Sequence, residues 1–270
     1  MVQLKQRYCV SLAKSDKEKA TALQDFFSSV YSVEPNDEFN KLPTSNHYSM
    51  SDFTLKEDNI LDKLSKLKID KSPGLYMLHQ RVLYETYSMI AYPFSSIFNK
   101  SLQLATLPSD WKLAEVTAIY NKGPKSDGGN YRQVCLTSVC CKTLESLICD
   151  HVMTYLLDNN LLSDKQYGFI KGRSTMLQLP HMLDKWTEYL ENGGQIDIVY
   201  SDFGKAFAKV PPKRLLSELQ SYNLNDMINW ISDFFCMAGN TKLELIVAIS
   251  VGMMLLVVFL RAVFWAHYYF

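Results

Sequence analysis

The sequence predicts an α+β domain with more helix than strand, followed by a C-terminal hydrophobic helix. Apolar residues recur at the helical period in several segments that begin with a capping sequence. A shorter segment, residues 195–203, alternates apolar and polar residues and therefore predicts a strand. Residues 245–260 form an apolar run without a charged residue, which predicts the C-terminal helix.

Capping residues predict where three of the helices begin. Ser15 with Glu18 and Thr54 with Glu57 match the capping box, in which two side chains bond the first free backbone N–H groups. Ser174 opens a third helix, in which we expect a buried stripe of Leu179, Met182, Leu183, Trp186 and Leu190.

The remaining elements follow from periodicity and from Pro and Gly. Helices are expected over 79–104, with Pro93 interrupting, over 139–157, and after the Pro211–Pro212 pair. Residues 113–120 suit a strand, and NKGPKSDGGN after them predicts a mobile loop. The polar stretch 35–50 is interpreted as a linker.

Composition restricts the function only weakly. Lys plus Arg and Asp plus Glu each total 28, so the formal net charge is zero and gives no support to a nucleic-acid partner. The six cysteines form no CxxC pair, so a zinc site is not expected. The first residues lack the apolar run of a signal peptide, which favours a reducing, cytoplasmic or nuclear location unless the tail enters a membrane.

The apolar tail admits three interpretations: a membrane segment, a buried core helix, and out-of-register sequence that is apolar by chance. A helix of residues 245–260 at about 1.5 Å per residue is shorter than a bilayer core of roughly 30 Å. Extension towards Phe270 spans it but includes Arg261 and His267. A membrane association through 245–266 is the expectation.

Asp202 ends the alternating segment and precedes a helix, a position where a carboxylate can bind Mg²⁺. Its surroundings, YSDFGKAFAKVP, resemble the first palm motif of reverse transcriptases from non-LTR retrotransposons, the jockey-like and related LINE-type elements. The resemblance implies that Asp202 is a catalytic metal ligand and that Phe207 is the steric gate against a ribose 2′-OH. Ala208 stands where the family has a second Asp.

Four further segments resemble the same family in the same order: KIDKSPG (68–74), residues 97–138, NNLLSDKQYGFIKGRST (159–175) and residues 209–224. The resemblance implies a right-hand fold with helix-rich fingers over 51–194 and a partial palm over 195–235. An N-terminal helical extension with a linker (1–50) then precedes the fingers, and the hydrophobic tail (236–270) follows the palm.

The resemblance also implies roles for basic residues. Arg132 is the best candidate for contact with the incoming nucleotide, with Lys122 as a second, because a triphosphate needs cationic donors. Lys171 and Arg173 lie next to glycines in GFIKGRS (168–174), just before a helix, and suit a nucleic-acid phosphate. The alternative for all four is a solvated surface cation.

The family is an RNA-directed DNA polymerase, a nucleotidyltransferase that takes an RNA template, a DNA primer, dNTP and Mg²⁺. This sequence holds no Asp-Asp pair, which the family's second carboxylate cluster requires, so we expect no polymerase activity from these residues alone. Two other functions stay open: a nucleic-acid-binding remnant without catalysis, and a membrane-anchored interaction protein.

Overall fold

A computed structural model of the chain describes residues 15–30, 50, 53–71, 73, 76–198, 211–224 and 229–231. Within these ranges the chain forms seven α-helices and one antiparallel sheet of two strands. The expected mixture of helix and a small amount of sheet is therefore confirmed for this part of the molecule.

The elements follow one another as helices, a hairpin and helices. The helices are α1 (Asp16–Val30), α2 (Glu57–Ser65), α3 (Gln80–Glu85), α4 (Tyr87–Gln103), α5 (Val139–Asp158), α6 (Thr175–Glu191) and α7 (Pro212–Ser221). The strands are β1 (Ala114–Tyr120) and β2 (Tyr131–Thr137), and short 3₁₀ turns occupy Ser109–Lys112 and Gly128–Asn130.

Two of the predicted helix starts are confirmed. At α1 the Glu18 N–H donates to Ser15 Oγ (3.2 Å), and the Ser15 N–H donates to the Glu18 carboxylate (3.3 Å), which is the reciprocal capping box. At α6 the Ser174 Oγ accepts from the Leu177 N–H (3.3 Å). Both caps are local contacts, and this explains why sequence spacing predicts them.

The predicted start of α2 is wrong. The helix begins at Glu57 with Lys56 as its N-cap, and the Asn59 side chain accepts from the Lys56 N–H (3.2 Å). Thr54 therefore lies outside the helix, and Leu55 instead bonds a distant part of the chain.

The predicted interruption at Pro93 is also wrong. Pro93 lies inside the continuous helix α4, and the break falls at Thr86, between α3 and α4. The Thr86 hydroxyl (2.7 Å) and the Thr86 N–H (3.1 Å) both donate to the Val82 carbonyl at this break.

The core forms where α2 packs against α4 and α5. Its largest fully buried side chains come from four helices and the segment after α7: Ile60, Leu64, Phe98, Leu144, Ile148, Leu156, Leu215, Leu219, Leu224, Trp230 and Ile231. This arrangement places residues from Met50 to Ile231 in one cluster.

Side-chain hydrogen bonds connect distant segments around this core. The Asn99 amide bonds both the N–H and the C=O of Leu55 (2.8 Å each), as a neighbouring strand would. The Trp230 indole N–H donates to Ser101 Oγ (3.0 Å). A buried polar group without a partner costs about 1–3 kcal/mol, so these bonds specify how α4 meets its neighbours.

The strand predictions had mixed outcomes. The strand over 113–120 is confirmed as β1, whereas β2 was not predicted. Residues 195–198 of the predicted strand 195–203 have no regular structure, and residues 199–203 lie outside the described residues. The predicted hydrophobic helix over 236–270 also lies outside them. Among the described residues, no helix is both long and apolar enough to cross a bilayer.

The predicted burial of the α6 stripe is wrong. Leu179, Leu183 and Leu190 are each more than half exposed, at 59%, 55% and 55%. Met182 and Trp186 are half-buried, and the described elements leave this face of α6 uncovered. The helical period was correct, but periodicity cannot identify the element that covers the face.

Candidate nucleotide and nucleic-acid interface

The β1–β2 hairpin has one face towards the core and one towards solvent. Its register pairs Ala114 with Thr137 at the inner end and Ile119 with Arg132 near the turn. Ala114 and Thr137 are buried, whereas Ile119 is 50% exposed and Arg132 is exposed. Because side chains alternate across a strand, Arg132 lies on the outward face of the hairpin.

Hydrogen bonds close the turn of this hairpin, over the residues for which a mobile loop was predicted. The Asn121 N–H donates to the Asn130 carbonyl (2.8 Å), and the Asn130 side-chain amide donates to the Pro124 carbonyl (2.8 Å). Gly123 has φ +93°, and a Cβ there would lie 2.6 Å from Asn130 Nδ2. Lys122 is exposed beside this glycine, so its backbone is held while its ammonium reaches solvent.

Two aromatic residues close the hairpin, a feature that sequence reasoning missed. The Tyr120 and Tyr131 rings meet edge to face, with centroids 5.7 Å apart. The Lys125 ammonium lies 5.6 Å from the Tyr120 ring centre, within the range of a cation–π contact. The signal was present in the sequence, since the two tyrosines flank the turn at each end of the predicted loop.

The second group of predicted site residues lies in the α5–α6 loop, residues 159–174. Lys171 is exposed between two residues with positive φ, Phe169 (+60°) and Gly172 (+84°). The Arg173 guanidinium is turned back into the loop, where its Nη1 donates to the Gln166 carbonyl at 2.8 Å. Lys171 is therefore available to a ligand, whereas Arg173 is bonded within the protein.

The structure brings some of the predicted residues together. Lys122 and Arg132 lie at the turn end of one hairpin, and Lys171 and Arg173 lie in the separate α5–α6 loop. The predicted metal ligand Asp202 and steric gate Phe207 lie outside the described residues. Within the described ranges, no three His, Cys, Asp or Glu side chains are grouped so that they could hold a metal ion.

Residues 123–253, just under half of the chain, match the family model described as "Reverse transcriptase (RNA-dependent DNA polymerase)". The match includes the hairpin turn from Gly123 onwards, Arg132, the α5–α6 loop and the YSDFGKAFAKVP segment, and it begins after Lys122. It continues 18 residues beyond position 235, where the motif comparison had ended the palm.

Curated relatives come from mobile elements. The chain is 23% identical over 217 residues to the probable RNA-directed DNA polymerase from transposon BS of Drosophila melanogaster, covering 77% of this chain and 24% of that protein. It is 26% identical over 175 residues to the RNA-directed DNA polymerase from mobile element jockey of the same fly, covering 64% and 19%.

A third relative is the putative 115 kDa protein in type-1 retrotransposable element R1DM, also of Drosophila melanogaster. It is 27% identical over 179 residues, which are 63% of this chain and 16% of that protein. The chain thus spans about a quarter or less of the length of these relatives. With the family match, they confirm that the motifs of this chain resemble those of reverse transcriptases from non-LTR retrotransposons.

Proposed function

We propose that this chain forms the fingers and the first part of the palm of an RNA-directed DNA polymerase, and that the outward face of its hairpin contacts the incoming nucleotide. The observation that carries the proposal is the exposed Arg132 on a hairpin whose turn is fixed by hydrogen bonds. A guanidinium presents a planar pair of donors that matches phosphate oxygens, and a rigid support lowers the entropy lost on binding.

Lys122 supports the same role from the turn. It lies at the same end of the hairpin as Arg132, and both side chains are exposed. Two cations at one end of a hairpin suit a triphosphate, which carries several negative charges.

Nucleic acid is proposed to contact the α5–α6 loop through Lys171, with RNA as template and DNA as primer. Lys171 is exposed on a loop held in one conformation, which suits a contact that positions a phosphate without reading a base. Arg173 was predicted to share this role, and its bonds within the loop favour a different one, developed below.

Divalent metal ions are used across this family, and we propose Asp202 as the ligand and Mg²⁺ as the ion, with Phe207 as the steric gate. Mg²⁺ prefers oxygen ligands and takes one or two carboxylates together with substrate phosphates. Asp202 supplies one such carboxylate, and a two-metal site needs several. Because the 270 residues contain no Asp-Asp pair, we propose that this polypeptide binds substrates without completing the reaction by itself.

Binding of a labelled RNA–DNA template–primer, followed with and without added dNTP, tests the hairpin. We expect Arg132→Ala to weaken the additional binding that dNTP produces, because a charged donor to phosphate is lost. The matched control is Arg81→Ala, an exposed arginine in an i,i+4 pair with Glu85 on α3, which we expect to change nothing. Equal effects of the two variants would contradict the assignment of Arg132.

Primer extension on an RNA template, with Mg²⁺ or Mn²⁺, tests the chemistry. We expect the chain and its Asp202→Ala variant to give the same background, because one carboxylate does not hold two metal ions. Incorporation by the unchanged chain above that control would refute the predicted lack of catalysis.

A further inference from the structure

The α5–α6 loop is held in shape chiefly by one side chain, that of Arg173. Its Nη1 lies 2.8 Å from the Gln166 carbonyl, 3.1 Å from the Asp164 carbonyl and 3.3 Å from the Ser163 carbonyl. Three carbonyls from four consecutive residues therefore converge on one end of the guanidinium. Hydrogen bonds from a charged donor contribute more than those between neutral groups.

Other contacts complete the loop around this centre. Gln166 is 3% exposed and Ile170 is 5% exposed, so both ends of the turn are anchored in the protein. The Arg173 N–H donates to the Ile170 carbonyl (3.1 Å), which closes the turn that contains Lys171. Among positions 169–173, Lys171 is the basic residue that is exposed, whereas Arg173 is partly buried.

The surroundings of Arg173 disfavour direct contact with a phosphate. Its Nη2 lies 3.7 Å from the Asp164 carboxylate, so an approaching anion would meet a negative charge there. Its Nη1 donors are directed at backbone carbonyls. A phosphate could reach the same nitrogen only after these bonds are broken.

We propose that Arg173 is a positioning residue, which fixes residues 163–172 so that Lys171 is presented to a nucleic-acid phosphate. The inference rests on the proposed function for its ligand, and on the Arg173 hydrogen bonds for its mechanism. Lys171 contacts the phosphate, and Arg173 affects binding only by holding the loop that positions Lys171.

Binding of template–primer to the full chain across a range of salt concentrations distinguishes contact from positioning. Each phosphate neutralised by a cation contributes about 0.9 to the slope of log K against log salt. We expect Lys171→Gln to lower the slope by about one. We expect Arg173→Gln to weaken binding by a similar factor, and the double variant to bind no more weakly than Arg173→Gln, within about twofold. If the losses of binding in Lys171→Gln and Arg173→Gln add in the double variant, and each substitution lowers the salt slope separately, the positioning role is overturned. Arg173 would then contact a phosphate directly.

A second measurement reads the loop without a ligand. An endoproteinase specific for lysine cuts after Lys165 and Lys171, and neither site is changed by Arg173→Gln. We expect faster cleavage at both sites in Arg173→Gln and no change in Arg81→Gln, with both variants keeping the helical circular dichroism of the unchanged chain. Unchanged cleavage in Arg173→Gln would overturn the positioning role.

The two measurements separate the inference from the function on which it rests. If Lys171→Gln leaves template–primer binding unchanged, the proposed contact at this loop is overturned even where proteolysis responds. If binding responds to Lys171→Gln and proteolysis does not respond to Arg173→Gln, the contact stands and the positioning role fails.

Discussion

Glu145 on α5 carries a carboxyl group in an unfavourable place for a charge. Burial raises its pKa to about 7, and the effect is opposed by the Cys141 thiol, which donates to Glu145 Oε1 at 3.1 Å. Burial also raises the pKa of the neighbouring Cys149 thiol, to about 11. The centre of α5 is therefore a region where the neutral forms of acidic groups are favoured.

Stability should depend on pH because of Glu145. Its pKa is higher in the folded chain than the ordinary value of 4.5, so the folded state holds the proton more tightly. Stability from this group is complete below about pH 4.5 and is lost as pH rises towards 7. We expect Glu145→Gln to remove this part of the decline in unfolding free energy with rising pH, which is at most about 3 kcal/mol.

Chemical denaturation between pH 4.5 and 8 measures this effect. The matched control is Glu188→Gln, an exposed glutamate on α6, which should leave the pH profile of the unfolding free energy unchanged. A profile for Glu145→Gln that parallels the unchanged chain would contradict the assignment.

Individual residues show what sequence reasoning could and could not reach. The exposure of Arg132 and Lys171 agrees with their predicted roles as ligand contacts, which remain predictions. The inward turn of Arg173 was not predicted, because its acceptors are backbone carbonyls seven to ten residues away. A sequence motif does not show which backbone carbonyls accept hydrogen bonds, because every residue has one.

Helix α1 packs against the turn of the hairpin through one close contact. Gly128 is buried, and a Cβ at that position would lie 3.0 Å from Cγ of the Phe26 ring. A larger side chain at 128 must therefore displace either the ring or the turn. The N-terminal helix thus supports the hairpin that carries Lys122 and Arg132.

A double-mutant cycle tests this support. We expect Gly128→Val to lower the unfolding free energy by about 1–3 kcal/mol, because overpacking forces shifts in backbone and side chains. We expect the Phe26→Ala change to relieve much of that loss when both are present, so the two effects are not additive. Denaturant unfolding of the four proteins measures the coupling, and strictly additive losses would show that the contact is absent.

Elements were predictable where their causes are local. The starts of α1 and α6 follow from caps within three residues, and β1 follows from its own alternation. Strand β2 was missed because Arg132 and Gln133 follow each other inside it and hide the alternation. The strand forms because it pairs with β1, and the sequence of a single strand does not show which segment it pairs with. The face of α6 that the described elements leave uncovered has the same explanation, because a helical period does not show which element packs against the apolar face.

For the whole molecule, five ordered motifs predicted the family before any geometry was known. The core then joins the segment at Leu55 to the segment at Trp230, which places helices α2, α4, α5 and α7 around one cluster. Whole-chain charge was uninformative, because the four cations of the proposed interface are concentrated in the hairpin and in the α5–α6 loop. Their placement depends on the hairpin turn and on the Arg173 bonds.

Hydrogen exchange of the full chain, with and without RNA–DNA template–primer and dNTP, tests the central proposal most directly. We predict slower exchange in two segments, the hairpin with its turn (114–137) and the α5–α6 loop (159–174). Residues 80–103 of α3 and α4 should exchange as before and serve as the internal control. Protection absent from both segments, or confined to 80–103, would contradict the proposed nucleotide and nucleic-acid interface.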